Sequence, residues 1–265
     1  RPGEDAISWD PARGEIDAAA LEGIGAVVHL AGAGIGDKRW TAERRRELIE
    51  SRTRGTGLLA GALAGLTRPP AVFLSGSAIG YYGDGGDAVL TEQSPSGDLF
   101  LSEICRAWEA AAAPAVEAGI RTAHLRTGIV LARGGGVLGK LLPLFRLGLG
   151  GRMGGGREYC SWISLRDEVR AIAFLLDHDV AGPVNLTGPE PVRNAEVARG
   201  LGRALHRPAV VPVPSFGPRL LLGADLAHEL LFISQRVVPE VLRSAGFVHE
   251  HADLDAALAW ALVRH

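Results

Sequence analysis

The residues best placed to do chemistry follow an apolar run, Ala71-Val72-Phe73-Leu74, which reads as a buried strand. Directly after it comes Ser75-Gly76-Ser77-Ala78-Ile79-Gly80-Tyr81-Tyr82-Gly83. Two hydroxyls and two phenols therefore sit at or just past the strand's end. Ser77 there can hydrogen-bond a carbonyl or hydroxyl. Tyr81 or Tyr82 can move a proton, or can simply pack with its hydroxyl satisfied.

Asp37-Lys38-Arg39-Trp40 is a second candidate. Of 28 Lys+Arg, only Lys38 and Lys140 are lysines. A lysine kept among so many arginines points to a site that wants a compact ammonium; a solvated surface charge is the plain alternative. Trp40 reads equally well as an anchor for the helix after it. Gly32-Ala33-Gly34-Ile35-Gly36 is a decoy. It lacks the G-x-G-x-x-G spacing, and no acidic residue closes a second strand about 20 residues later, so it is not a diphosphate-binding turn. A strand ending in Leu30-Ala31-Gly32 suits a later strand of a dinucleotide-binding sheet, where small residues let the backbone lie against adenosine and ribose. A tight turn is the other reading.

The elements that must hold these residues alternate. Ala26 to Leu30 is a buried strand, and residues 41–66 form a long helix with Leu48, Leu59, Leu63 and Leu66 on one stripe. The strand at 71–75 follows. Residues 98–118 form a helix whose Leu101, Ile104, Cys105, Trp108 and Ala112 share a face. Residues 122–126 are a strand, 141–147 an apolar helix between two Gly-Gly-Gly runs, 166–176 a helix and 184–186 a strand. Asn194 caps a helix to about Leu205. Ala6 to Trp9 reads as a short strand. From Pro208 onward no strand-helix alternation is visible. The pattern predicts an α/β fold, a doubly wound parallel sheet of the Rossmann type, over residues 1–210, with 131–162 as a glycine-rich flap or substrate insert. Residues 211–265 read as a small C-terminal helical lobe.

Bulk composition narrows the function. With 265 residues, 47% hydrophobic, a large core is available. A net charge of −2 gives no excess that would favour nucleic acid or a membrane surface. No apolar run approaches the roughly 20 residues that span a bilayer. Cys105 and Cys160 read as reduced core thiols of a cytoplasmic protein, and the eight histidines show no zinc spacing.

Several short motifs occur in order: Leu30-Ala31-Gly32, Asp37-Lys38-Arg39-Trp40, Ser51-Arg52, Ser77 to Gly83, Trp108-Glu109, Arg126-Thr127-Gly128, Phe145 to Gly151, Ser161-Trp162-Ile163 and Gln235 to Pro239. Together they resemble the epimerase-like family of atypical extended short-chain dehydrogenase/reductases, over essentially the whole chain. The resemblance implies NADP as cofactor, with NAD as the alternative, and a small-molecule substrate, for instance a sugar nucleotide. A homodimer is compatible with it. It places Leu30, Ala31 and Gly32 along the cofactor's adenosine half. Arg52, Ser75, Gly76, Ser77, Arg126 and Thr127 would approach its ribose and nicotinamide. Lys38, Tyr81, Arg146 and Trp162 would face the substrate.

The resemblance also exposes two departures. The family begins with a strand-turn-helix carrying the diphosphate loop, then a strand that selects NAD or NADP; the residues given start after both. The wider superfamily relies on Tyr-x-x-x-Lys, two side chains one helical turn apart. The three tyrosines here, Tyr81, Tyr82 and Tyr159, are never followed by lysine at that spacing. Aligned on Trp108-Glu109, the pair falls on Leu101 and Cys105. Either a substitute, Ser77 with Tyr81 or Lys38, runs an oxidoreductase or epimerase reaction, or the chain is a non-catalytic dinucleotide-binding redox sensor or interaction scaffold; a third reading is that these residues bind no cofactor.

Overall fold

The computed structural model describes residues 6–213 and 216–263. A hairpin opens it, β1 (Trp9–Asp10) with β2 (Glu15–Ile16). The strand lies later than the expected 6–9 because the Asp10 carboxylate accepts from the amides of Ala12 and Arg13 and bends the chain there. Trp9 packs edge-on against His29.

The core follows: β3 (Ala26–His29), α1 (Ala42–Ala64), β4 (Val72–Ala78), β5 (Val89–Leu90), α2 (Phe100–Ala110), α3 (Ala113–Glu117) and β6 (Arg121–Thr127). Then come β7 (Ile129–Leu131), α4 (Gly136–Arg146), β8 (Tyr159–Cys160), β9 (Trp162–Ser164), α5 (Leu165–Asp177) and β10 (Gly182–Leu186). The main sheet runs β10-β6-β4-β3, all parallel. Helices cover both faces. Phe73 packs with Leu63 of α1 and Ala115 of α3, while Leu74 and Leu125 pack with Leu175 of α5. Burial on both faces explains why β4 carries a continuous apolar run rather than an alternating one. The fold is therefore the doubly wound, Rossmann-like one that the alternation predicts.

Two local expectations shift. The predicted 98–118 helix is two helices. Pro114, in the first turn of α3, lacks the amide that a continuous helix would need there. Asn194 does not cap its helix. After β11 (Val192–Arg193), α6 (Asn194–Leu205) starts with Arg193 at the N-cap, whose amide donates to Glu196 Oε2 at 2.9 Å. Asn194 Oδ1 instead accepts from Met153 N at 2.8 Å, tethering the 131–162 stretch. That stretch is also pinned where β7 pairs with β9.

Beyond 211, the chain forms α7 (Phe216–Leu222), α8 (Ala224–Leu231), β12 (Arg236–Val237), α9 (Glu240–Ser244) and α10 (Leu254–Leu262). The short strand β12, invisible in the sequence pattern, pairs parallel with β5. Leu242 and Phe247 join the apolar layer under the sheet, and Leu254 and Leu258 pack with Leu138 and Phe145 of α4. No helix among the described residues is long and apolar enough to cross a membrane.

Candidate active-site crevice

The strand ends bring the candidates together because parallel register aligns them. His29 lies opposite Ser75, Ser77 opposite Arg126, and Ala78 opposite Thr127. In open parallel sheets the crevice outside these carboxyl ends takes the ligand.

One hydrogen-bonded network fills the crevice floor. Ser77 Oγ donates to Glu109 Oε1 at 2.7 Å. Arg126 grips the same carboxylate with both prongs, Nε to Oε1 at 2.8 Å and Nη2 to Oε2 at 2.9 Å. Its Nη1 donates to Tyr82 OH at 3.0 Å, and Tyr82 OH donates to Asn185 Oδ1 at 2.6 Å. The Tyr81 ring lies over the Arg126 guanidinium, 3.4 Å from its carbon to the ring centre. Glu92 Oε1 closes the far end, accepting from Asn185 N and Val241 N. Burial pushes the Tyr82 phenol up to about 12, outweighing the nearby Arg126 charge. For Arg126, burial works against the charge, but its bonds to Glu109 win and hold it cationic.

Thr127 donates to Glu168 Oε1 at 2.9 Å, and Glu168 Oε2 is buried without a partner. Burial lifts this carboxyl to about 7, against the opposing bond from Thr127. Behind the crevice, His29 and Ser75 lie in register with His124, and each side chain has a buried atom without a partner. Burial pushes both imidazoles down, so they stay neutral.

The remaining sequence candidates divide by burial. Leu30 is 56% exposed, and Ala31 and Gly32 are exposed beside it at the end of β3. Arg52 is buried against Trp108, and its Nη1 donates to the carbonyls of Ala33 and Leu48, so it braces the loop after β3. Ser75 is fully buried. Gly76 is needed for packing, since a Cβ there would stand 2.6 Å from the Trp108 ring. Lys38 and the side chain of Arg146 are exposed and do not join the Ser77 network. It is the other lysine, Lys140 of α4, that bridges to the Gly36 carbonyl at 3.1 Å. Trp162 is fully buried behind the crevice.

Leu101 and Cys105, where the superfamily's pair would stand, are buried on α2. The Cys105 thiol is pushed up to about 12, by burial first and then by Glu109. Glu109 and Glu168 are the site residues that sequence reasoning passed over. Glu109 was legible: it continues the Leu101, Cys105 spacing by one more turn of α2. Glu168 carries no such signal. Among the described residues, no cluster of three His, Cys, Asp or Glu could hold a metal ion.

In a wound parallel sheet of this kind the crevice at the strand ends is where nucleotides bind. The profile of the NAD dependent epimerase/dehydratase family matches residues 12–187, and that of a domain of unknown function, DUF1731, matches residues 213–261. The chain belongs to the NAD dependent epimerase/dehydratase family. It is 44% identical over 259 residues to the epimerase family protein ML0860 of Mycobacterium leprae, covering 97% of this chain and 83% of that protein. The crystal structure of the human epimerase family protein SDR39U1 with NADPH superposes with a TM-score of 0.87 at 35% identity, covering 92% of this chain and 83% of that one. A Corynebacterium glutamicum structure described as a nucleoside-diphosphate sugar epimerase gives 0.79 at 35% identity, over 99% of this chain and 51% of that one.

Proposed function

We propose that this chain binds NADP(H) and moves hydride between its nicotinamide and a carbonyl or hydroxyl compound, with Ser77 in place of the missing tyrosine. The single observation that carries this reading is the Ser77–Glu109–Arg126 arrangement at the ends of β4 and β6.

The residues fit a dinucleotide. Leu30, Ala31 and Gly32 present exposed backbone at the end of β3, one strand away from Ser77, and would carry the adenosine half. Ser77 and Thr127 would meet the nicotinamide end. The relative with NADPH in its structure supports NADP over NAD. When bound, the nicotinamide supplies the hydride acceptor or donor. The chain supplies position and a proton path. Ser77 Oγ gives its own hydrogen to Glu109, which leaves its lone pairs free to accept from a substrate hydroxyl. As an alcohol is oxidised, its proton passes to Ser77 Oγ and the serine proton passes to Glu109; reduction runs the path backward. Arg126 holds the Glu109 carboxylate in place for both directions. Lys38, on the exposed loop, is left out of the path. The two free cysteines support a reducing, cytoplasmic location.

The test is a fluorescence titration with NADPH and with NADH, followed by a hydride-transfer screen in which sugar nucleotides are one class. Ser77→Ala is expected to keep NADPH affinity and to lower turnover by about 10²-fold or more. Unchanged turnover removes Ser77 from the reaction. The buried Leu101 and Cys105 favour a second reading, a non-catalytic NADP(H) sensor. Tight NADPH binding with no turnover across the screen would select it.

A further inference from the structure

The chain as a whole is nearly balanced, with 28 Lys and Arg against 30 Asp and Glu, but its charges are not evenly placed. Residues 133–157 hold five Lys or Arg and no Asp or Glu, and residues 197–224 hold four and none. The fold lays these two stretches together. Leu138, Leu142 and Phe145 of α4 pack with Ala198 and Leu201 of α6, and Arg207 Nε donates to the Arg146 carbonyl at 3.2 Å. Further along, Met153 bridges to Val213, whose amide donates to the Arg152 carbonyl at 2.9 Å.

The same stretches turn apolar side chains outward. With Leu138, Leu142 and Phe145 inward, Lys140, Leu144 and Leu147 fall on the exposed side of α4 at spacings of four and three. Gly148, at φ 74°, ends the helix. Its amide donates to the Phe145 carbonyl and that of Leu149 to the Leu144 carbonyl, which brings Leu149 back beside Leu144. Leu147 is 73% exposed, and Val210 on the neighbouring stretch is 80% exposed. Arginines border these side chains: Val210 shares an open groove with Arg199, Arg203, His206 and Arg207. Arg203 is held by Asp255, and Arg199 lies 3.8 Å from Glu196. Arg146 and Arg207 meet no carboxylate among the described residues.

We infer that this face docks on an anionic lipid bilayer, its leucines and valines entering the headgroup region while Arg146 and Arg207 meet lipid phosphates and carboxylates. Charge disfavours a second copy of the chain as the occupant. In a two-fold contact the same patch meets itself, and arginines would face arginines. The exposed apolar side chains here are Leu and Val. Protein interfaces and single-stranded nucleic acids favour aromatic anchors instead, for burial and for base stacking. Aliphatic side chains bordered by guanidiniums suit acyl chains under a layer of phosphate, because an arginine stem can lie along apolar surface while its head stays in the polar layer. The attachment is peripheral; no helix among the described residues is long and apolar enough to cross the membrane.

The test is co-sedimentation of the chain with phosphatidylcholine vesicles containing about one-third phosphatidylserine, and with vesicles of phosphatidylcholine alone. The chain is expected to bind the anionic vesicles, to leave them at high salt, and to bind the neutral ones at least about ten-fold more weakly. Arg146→Gln and Arg207→Gln are each expected to weaken binding about five-fold, and Leu147→Ser about ten-fold. Arg13→Gln, on the exposed β1-β2 hairpin, is expected to change nothing. Thermal melting checks that each variant folds. The inference is overturned if the chain does not sediment with anionic vesicles, or if neutral vesicles bind it equally. It is also overturned if the three variants bind as tightly as the parent, or if Arg13→Gln loses as much as they do. Binding of soluble poly-glutamate or single-stranded DNA through Arg146 and Arg207, with no binding of vesicles, would assign the face to a macromolecule and sink the inference as well. The measurement needs no cofactor, so its outcome is separate from that of the hydride-transfer screen.

Discussion

Around Ser77, hydrogen bonds run unbroken from Ser77 through Glu109, Arg126 and Tyr82 to Asn185. Behind Ile79, a few residues away, Glu158 and Trp162 keep buried polar atoms that nothing in the chain satisfies. Around Ser77 most polar atoms are paired within the chain, Glu92 Oε2 being the exception, whereas Glu158 Oε2 and Trp162 Nε1 are left unpaired. A satisfied network is rigid and fixes position; unsatisfied buried atoms are a cost. The difference separates a stretch whose geometry is held by its own hydrogen bonds from one whose buried polar atoms are left unpaired.

The largest test of that contrast is Glu109→Ala. It leaves the Arg126 guanidinium, only 4% exposed, without its partner, and a broken buried pair costs about 3–5 kcal/mol. Urea denaturation should show the loss. A change under 1 kcal/mol would mean the network is not the rigid half of the site.

Next is Glu168→Gln, which bears on the edge of the network at Thr127. Folding raises this carboxyl from 4.5 to about 7. Below pH 4.5 both states hold the proton and there is no penalty. The penalty grows as pH rises from 4.5 to 7 and is complete above it, at about 3 kcal/mol. The glutamine, still able to accept from Thr127, should therefore stabilise the protein at pH 8 and do nothing at pH 4. Equal melting shifts at both pH values would contradict the assignment.

Tyr82→Phe removes the hydroxyl between Arg126 and Asn185 and should cost about 1–2 kcal/mol in the same denaturation assay. The smallest effect is the sharpest comparison. Ser75 and Ser77 are two residues apart, but Ser75 Oγ has no partner while Ser77 Oγ does. Ser75→Ala should leave stability unchanged or slightly higher, and Ser77→Ala should lower it by about 1 kcal/mol. Equal losses would erase the distinction between paired and unpaired polar atoms.

Much of the fold was legible because burial leaves a period. Apolar runs at 26–30, 71–75 and 184–186, separated by amphipathic helices, admit few arrangements other than a wound parallel sheet. What pattern reading missed was local and chemical. Pro114 splits a helix that the apolar spacing alone extends, and β12 is too short to show any period. Of the candidate site, the position of Ser77 near the carboxyl end of β4 was legible from the apolar run before it. Lys38 drew attention for its rarity, yet it is exposed, while Lys140 makes the bridge across the loop.

Residue types and order therefore determined the sheet, the serine at its edge and the loss of the tyrosine-lysine pair, since each of these is a property of local sequence. Tertiary structure alone decided which carboxylate meets Ser77, that Arg52 and Ser75 serve the interior, and that Glu158 and Trp162 keep buried polar atoms without a partner. These outcomes depend on strand register and on helices distant in the chain packing together, and no short stretch of sequence encodes either.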